Sequence, residues 1–553
     1  MVGIIMTGGD PDLSAWRRQG PDIIARRRAE YDALLERARS LMDRRRHAQA
    51  VAALQAAANY AVLWHTGQFT DPRIEAMLRR LGRQALHDAG PGRPPRDDGA
   101  PRRVLHVATE LYGIGGHARM VAHWIRNDPQ NLHSLALTGQ HHALPQDVAD
   151  AVRDARGSVT CLNARPGGLL RWARGLQALM ARADIVVLHV HNMDVVPMIA
   201  LAGLENRPPS MMVNHGDHQF WLGSGVVDLI VSTRDSGRQL GIDRRGVTPE
   251  RSALIPLCLR TRPRQMPRDA ARQALGIPAD AVVVLTIARA VKFRDIGGDN
   301  FVQALLPVMK VIPRMHMIVV GPGPMPAWQA SIAQVPGQVH LVAETTQTQP
   351  YLDAADIYLD AFPFVSITSL LEAGLQGLPL VTRSAYGPDC GVMAADSPGL
   401  DGVMLNTGSV RELRETVAML VQEDDHRRQL GAQTQARIAA TNTGTAWRDQ
   451  LQVLYRRAED LPRNPCILAP QQGMTDLDLF IPFVFDDPVG LSGSATIRVS
   501  RATQMVLKSA PPAWRIRQLL AISARRDLSG SPLRALIPAW LGTTLRRRLG
   551  REL

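Results

Sequence analysis

The sequence predicts an α/β protein made of two successive doubly wound parallel-sheet domains, with a helical extension in front and a basic tail behind. Three features carry this expectation. Short apolar runs alternate with helix-length segments from residue 104 onward, the alternation restarts at residue 281, and the surplus positive charge sits at the two ends of the chain. At roughly 150 residues per domain, 553 residues make three to four folded units. Hydrophobic residues at 45% against 21% charged ones can fill the cores of those units, which excludes a chain disordered throughout.

The expected units are 1–99 (helical extension and linker), 100–262, 263–460 and 461–553. Over residues 21–86, Ile24, Tyr31, Leu34, Leu35, Leu41 and Met42 recur near helical spacing, and HAQAVAALQAAANYAVLWHTG continues as a second helix. These read as a helical-hairpin appendage whose arginine runs, 26–28 and 44–46, are solvated faces. Residues 88–103, rich in proline, glycine and charge, read as a linker.

Strands are expected at 104–109, 184–190, 209–215 and 228–233 in the first series. In the second they are expected from 281, at 315–321, 339–344, 357–362 and 378–383. Their near-continuous apolar content implies sheets covered on both faces. Ligands of such sheets bind at the strand carboxyl ends, so a substrate cleft between the two halves is the default expectation.

Four places carry candidate chemistry. After the first strand, Gly113, Gly115 and Gly116 permit a tight turn into a helix whose N-terminal amides can meet an anion or a sugar. His189 and His191 share one strand face with Asp194 beyond them, and the next strand ends in His215, Asp217 and His218. Those residues suit acid–base work on sugar hydroxyls, with His215, His191 and Asp217 the first choices; a crevice lining or a metal site are the alternatives. Arg289 and Lys292 follow the first strand of the second half and suit a diphosphate. Finally, DAFPFVSITSLLEAGLQGLPLV places Ser366, Thr368 and Ser369 at a helix start and Glu372 about one turn in, where phosphate oxygens and ribose hydroxyls can bind. The plainer alternative there is a capping box of Ser369 with Glu372.

In this order the glycine turn, Arg289 with Lys292, and the DAFPFVSITSLLEAGLQGLPLV segment resemble the GT-B glycosyltransferases, in particular the family 4 type, over residues 102–460. The resemblance implies two facing Rossmann-like domains with the nucleotide-sugar in the second. By position it implies that Arg289 and Lys292 hold the diphosphate, Ser366, Thr368 and Ser369 its phosphate oxygens, and Glu372 the ribose. The family's paired-glutamate motif has its first Glu eight positions before the second, and Phe364 stands there in this chain. The FPFVSITS form is similar to the FPxxGxTT segment of O-GlcNAc-transferase-like enzymes, which leaves retention and inversion both open. The implied activity is metal-independent transfer of a hexosyl group from a UDP- or GDP-sugar to a glycan, lipid-linked or protein acceptor, as in surface-glycan or glycoconjugate synthesis. The nucleotide-sugar is then a substrate, and no cofactor is expected. A UDP-sugar epimerase of the same fold and a non-catalytic sugar-nucleotide-binding scaffold are the rivals.

Charge and cysteines narrow the setting. Of the net +13, residues 1–100 hold +4 and residues 511–553 hold +7, so the middle is near neutral and shows no basic stripe for nucleic acid. Cys161, Cys258, Cys390 and Cys466 are far apart and fit reduced thiols in the cytoplasm. No signal peptide or spanning helix is expected, since glycines and prolines interrupt even the longest uncharged stretch, 315–343. In 511–553, Trp514, Ile516, Leu519, Leu520 and later leucines mix with nine arginines, which suits peripheral contact with an anionic membrane surface; packing on the enzyme body is the alternative.

Overall fold

A strand such as Ile185–His189 is apolar at every position but its last, and that composition is stable only where both faces of the sheet are covered. The computed structural model describes residues 13–86, 96–97, 99–113, 115–295, 300–384, 386–463, 469–470, 473–486, 491, 493–525, 527 and 531–549, and it shows this arrangement twice. One compact unit is built from residues 19–233, 237–255 and 448–553, the other mainly from residues 256–447.

The first unit holds β1 Arg103–Ala108, β2 Leu132–Leu137, β3 Val159–Cys161, β4 Ile185–His189, β5 Ser210–Asn214, β6 Leu229–Ser232 and β7 Ser252–Leu254. They pair in parallel in the order β3-β2-β1-β4-β5-β6-β7. The second holds β8 Val282–Ile287, β9 Met315–Gly321, β10 Val339–Ala343, β11 Ile357–Leu359, β12 Leu380–Arg383 and β13 Met404–Thr407, in the order β10-β9-β8-β11-β12-β13 and again parallel. Each order reverses once, between β1 and β4 and between β8 and β11, and a sheet of this kind binds ligands at the carboxyl ends beside the reversal. All nine predicted strands form; β2, β3, β7 and β13 are additional to the sequence reading.

Alternation along the strands shows the double cover directly. Val282, Val284, Met315, Met317 and Val319 enter one core of the second unit, whereas Val283, Leu285, Ile318 and Val320 enter the other. In the first unit, Ala108, Leu135 and Leu137 pack under helix Gly116–Arg126. Leu105, Val107, Val186 and Leu188 face the opposite way, into the core that holds helices Leu169–Met180 and Val195–Ala202.

Helix Val195–Ala202 reads VVPMIALA and is apolar all round, so covering the sheet does not suffice to bury it. A further layer does so. Helices His47–Leu63 and Pro72–Ala85 pack on it, and helix Ala495–Leu507 packs on His47–Leu63. The helical extension and the C-terminal segment therefore belong to the same unit as the first sheet, rather than forming an appendage. Buried ion pairs fasten this layer. Asp478 accepts from His65 Nε2 at 2.9 Å and from both terminal nitrogens of Arg244 at 3.0 Å, Arg27 pairs with Asp486, and Tyr60 and Arg498 share Glu30. Although burial pushes its pKa up, the bonds from His65 and Arg244 prevail and hold Asp478 at about 2.

Glu75, on helix Pro72–Ala85, reaches the first sheet's loops, where its carboxylate accepts from Gly223 N at 2.6 Å and Gly225 N at 3.3 Å. Burial raises its pKa to about 7 against those bonds. Because the folded value lies above the unfolded one, its contribution is fully present below pH 4.5 and is lost as pH rises through 7. Glu75→Gln cannot ionise, so its stability relative to wild type should improve by about 3 kcal/mol between pH 5 and pH 8. Calorimetric unfolding at the two pH values checks this, and an equal difference at both would refute it.

Candidate functional site

In the second unit, the loop after β8 and the loop after β11 meet. Gly321 ends β9 at φ +119°, and a Cβ there would lie 2.1 Å from the Ala288 carbonyl oxygen, so only glycine lets β9 end against the loop that follows β8. Arg289, exposed, caps the short helix Ala290–Lys292. Lys292 turns back so that Nζ donates to Val365 O at 2.8 Å and Ser366 Oγ at 3.3 Å, and it lies 4.6 Å from the centre of the Phe364 ring. Ser366 is the N-cap of helix Ile367–Leu375, yet its side chain makes no cap bond. Asp360 shapes the approach to this helix by accepting from Ala361 N and Ser366 N, each at 2.8 Å.

Thr368 and Ser369 lie in the first turn of that helix, half-buried, and half-buried Glu372 follows one turn later. The helix begins at Ile367, so Ser369 is not its N-cap and the Ser369–Glu372 capping box does not form. Ser369 instead lies beside the hydroxyl of Tyr358. The first amides of a helix have no partner within it, so cation, hydroxyls and N–H groups converge where an anion can bind. Burial lowers Lys292 to about 8, with Asp360 opposing the shift, and burial raises Asp360 to about 6. Asp360 has no counterpart among the residues singled out by sequence; its signal is its place at the end of a strand beside the reversal in strand order.

In the first unit, Gly113 and Gly115 are exposed, and Gly115 is the N-cap of helix Gly116–Arg126 at φ +111° with open space where a Cβ would be. His117, in the first turn of this helix, donates from Nε2 to the His189 carbonyl at 2.8 Å. Its ring centre lies 4.2 Å from that of His215 and 6.1 Å from that of His191, and His189 lies 5.9 Å from His215. The structure thus gathers His189, His191 and His215, and adds His117. Burial lowers all four pKa values, that of His117 to about 4, so the cluster is neutral at pH 7.

Three other singled-out residues have partners of their own, and Asp194 also acts electrostatically on His191. His218 stacks on Phe485 at 4.0 Å between ring centres. Asp194 caps helix Val195–Ala202 and also accepts from Thr109 and Thr138, which is a structural role. Asp217 is buried, and its carbonyl accepts from Arg245. Among the described residues no group of three or more His, Cys, Asp or Glu side chains is arranged to hold a metal ion. Cys161, Cys258 and Cys390 are buried and in no disulfide among the described residues, and Cys466 lies outside the described residues.

His106 and His133 were not singled out by sequence. Both are fully buried in strand interiors and hydrogen-bonded to each other, and only the pairing register between strands brings them into line with His189.

Residues 281–423 match the family described as Glycosyl transferases group 1. Among the curated proteins nothing matches. Of the solved structures, a glycosyltransferase from Rickettsia africae is 9% identical and covers 65% of this chain and 99% of its own, with a TM-score of 0.51. Anabaena Alr3699/HepE in complex with UDP is 15% identical and covers 64% and 99%, with a TM-score of 0.50. Thermobaculum terrenum O-GlcNAc transferase, 15% identical, covers 81% and 84% at a TM-score of 0.43, too distant to bear on the FPFVSITS segment. At such identities the likeness is one of fold. The chain has the GT-B fold of two Rossmann-like α/β domains, and its second domain carries the match to glycosyl transferases group 1.

Proposed function

We propose that the protein is a glycosyltransferase, moving a hexosyl group from a UDP- or GDP-sugar to a glycan, lipid-linked or protein acceptor in cytoplasmic synthesis of surface glycans or glycoconjugates. One observation carries the reading: Lys292 is bonded to Ser366 at the start of helix Ile367–Leu375, beside the reversal in the second sheet's strand order. A diphosphate needs cations and N–H donors to stabilise it as a leaving group. Arg289, Lys292, Ser366, Thr368 and Ser369 supply them without a protein-bound metal, and Glu372 accepts the ribose hydroxyls. In the other domain His215 takes the acceptor's proton, with His191 and Asp217 also assigned to the acceptor. A neutral imidazole is the form that can do this near pH 7. The match to glycosyl transferases group 1 and the GT-B neighbours support this reading.

A panel of sugar nucleotides tests it. Release of the nucleoside diphosphate from one donor, fast with acceptor and slow with water, is the expected outcome. Interconversion of the sugars would make the protein an epimerase, and binding without turnover a scaffold.

Lys292 gives the site a pH signature. Its pKa is lowered to about 8, chiefly by burial, so its charge is present below that pH and lost above it. Affinity for the cognate nucleoside diphosphate should fall about tenfold from pH 7 to pH 9, while that for the nucleoside alone stays constant. Parallel pH dependence of the two ligands in calorimetry would exclude Lys292 as the diphosphate cation.

We further propose that the tail rests on an anionic membrane surface. Among the described residues no helix is long and apolar enough to cross a membrane. Trp514, Leu519 and Ile522 are buried in the first unit's core, but Ile516, Leu520, Leu533, Leu536 and Ile537 are exposed among exposed Arg517, Arg525 and Arg534. Truncation would strip part of that core, so substitution is the sharper test. Leu520→Glu with Leu533→Glu should remove co-sedimentation with anionic liposomes and leave turnover of a soluble acceptor intact; unchanged sedimentation would end the proposal.

A further inference from the structure

Four histidines of the first unit stand on one diagonal of its sheet. The β1–β2 register places His133 beside Val104, the β1–β4 register places His189 beside Ala108, and His106 lies between them on β1. With a side-chain period of two, all three leave the same face, each one step nearer the carboxyl end. Continuing the β4–β5 register sets Val213 opposite His189, so His215 is the next step.

The hydrogen bonds along this diagonal have a direction. His133 Nε2 lies 3.0 Å from the Asp128 carbonyl oxygen and 3.3 Å from Asp128 Oδ2; both only accept, so Nε2 carries a hydrogen. In the neutral ring Nδ1 is then a lone pair, and His106 Nε2, 2.9 Å away, must donate to it. The 3.0 Å contact of His106 Nδ1 with His189 Nε2 extends the pattern, so His189 is also the Nε2–H tautomer. What remains is His189 Nδ1, an unpartnered lone pair on a fully buried side chain. Beyond it lies His215, whose buried Nε2 is likewise without a partner.

The far end of the chain is built to receive charge. Asp128 is fully buried, and its carboxylate also accepts from Asn131 Nδ2 at 2.9 and 3.0 Å, Gln452 Nε2 at 3.1 Å and Tyr455 OH at 2.8 Å. Trp124 donates to the Tyr455 hydroxyl at 3.0 Å while its ring stands edge-on to His106 and His189, holding both imidazoles in plane. Arg102, the cation over the Tyr455 ring, is itself paired with Glu459. The carboxylate is thus an anion held by neutral donors and by His133.

We propose that His189, His106 and His133 form a proton relay from the strand carboxyl ends to Asp128. A proton reaching His189 Nδ1 from the strand carboxyl end, the side on which the His215 ring centre lies 5.9 Å away, lets the His189 Nε2 hydrogen pass to His106 Nδ1 and the His106 Nε2 hydrogen pass to His133 Nδ1. One proton enters and one positive charge comes to rest on His133, beside Asp128, while His106 and His189 become Nδ1–H tautomers. The reverse sequence resets the chain. The source of the proton rests on the proposed reaction, in which His215 deprotonates the acceptor; the chain and its direction do not.

Two measurements on the full-length protein separate these. Imidazole ¹⁵N spectra of histidine-labelled protein should show Nε2–H tautomers for His133, His106 and His189 at rest. A resting Nδ1–H tautomer at His106 or His189 would overturn the relay. This readout needs no sugar transfer, so failure of the proposed reaction leaves it intact. In turnover, His106→Gln keeps a donor toward His133 and an acceptor toward His189 but cannot pass a proton. It should lower kcat about tenfold or more with donor KM and thermal stability unchanged. An unchanged kcat would show that the histidine only fills and bonds its site, and His133→Gln, which preserves both bonds likewise, serves where His106→Gln does not fold.

Discussion

Every strand pair in both sheets is parallel, and parallel strands of this apolar content must be covered on both faces. In the second unit the chain meets that demand locally, because consecutive residues of β8 and β9 enter two different cores built from the intervening helices. In the first unit it cannot. One covering helix, Val195–Ala202, is itself apolar on every side, so the demand passes outward to a third layer. That layer comes from residues far away in sequence. The buried pairs Asp478–His65, Asp478–Arg244 and Arg27–Asp486 fix which segments supply it, since a buried carboxylate tolerates few arrangements besides the one that pairs it.

Covering both faces also decides where chemistry can sit. The candidate groups that could meet a ligand stand at the strand carboxyl ends, and each unit has a glycine with positive φ there, Gly115 at a helix N-cap with open space around it and Gly321 pressed against the loop after β8. What each unit places at that edge differs. The second offers cations and hydroxyls around a helix start, with Asp360 locking the loop from behind. The first offers imidazoles that burial keeps neutral. One edge is suited to charge already present, the other to a proton in transit.

How much of this was legible in the sequence follows from the range over which each signal acts. Strands such as Ile185–His189 and Met315–Gly321 announce themselves because each is apolar apart from a single histidine. Strand β2 reads LHSLAL, without a β-branched residue and with two polar ones, and β3 and β7 have only three residues each, so local pattern does not mark them. Within the candidate sites, Lys292, Ser366 and Glu372 belong to short segments whose turn chemistry is readable. His189, His191 and His215 stand at strand ends, where polar residues draw notice. His106 and His133 look like polar faults inside β1 and β2 until the register between neighbouring strands is known, and register is a tertiary property. The helical front end was legible as helix but not as a cover for the sheet, because its partner, Val195–Ala202, lies more than a hundred residues away.

The interleaving of the two units along the chain has a consequence for biosynthesis. Residues 256–447 are nearly contiguous, so the second unit can complete its sheet and both of its cores while it emerges from the ribosome. The first unit cannot do the same. Its seven strands are all synthesised by residue 254, yet Ala502, Val506, Trp514 and Ile522 are part of the core shared with helices His47–Leu63 and Val195–Ala202. An apolar surface on the N-terminal half therefore stays incompletely covered through the translation of more than two hundred further residues. The half made first is finished last, and during that interval its open layer is the surface a chaperone would have to shield.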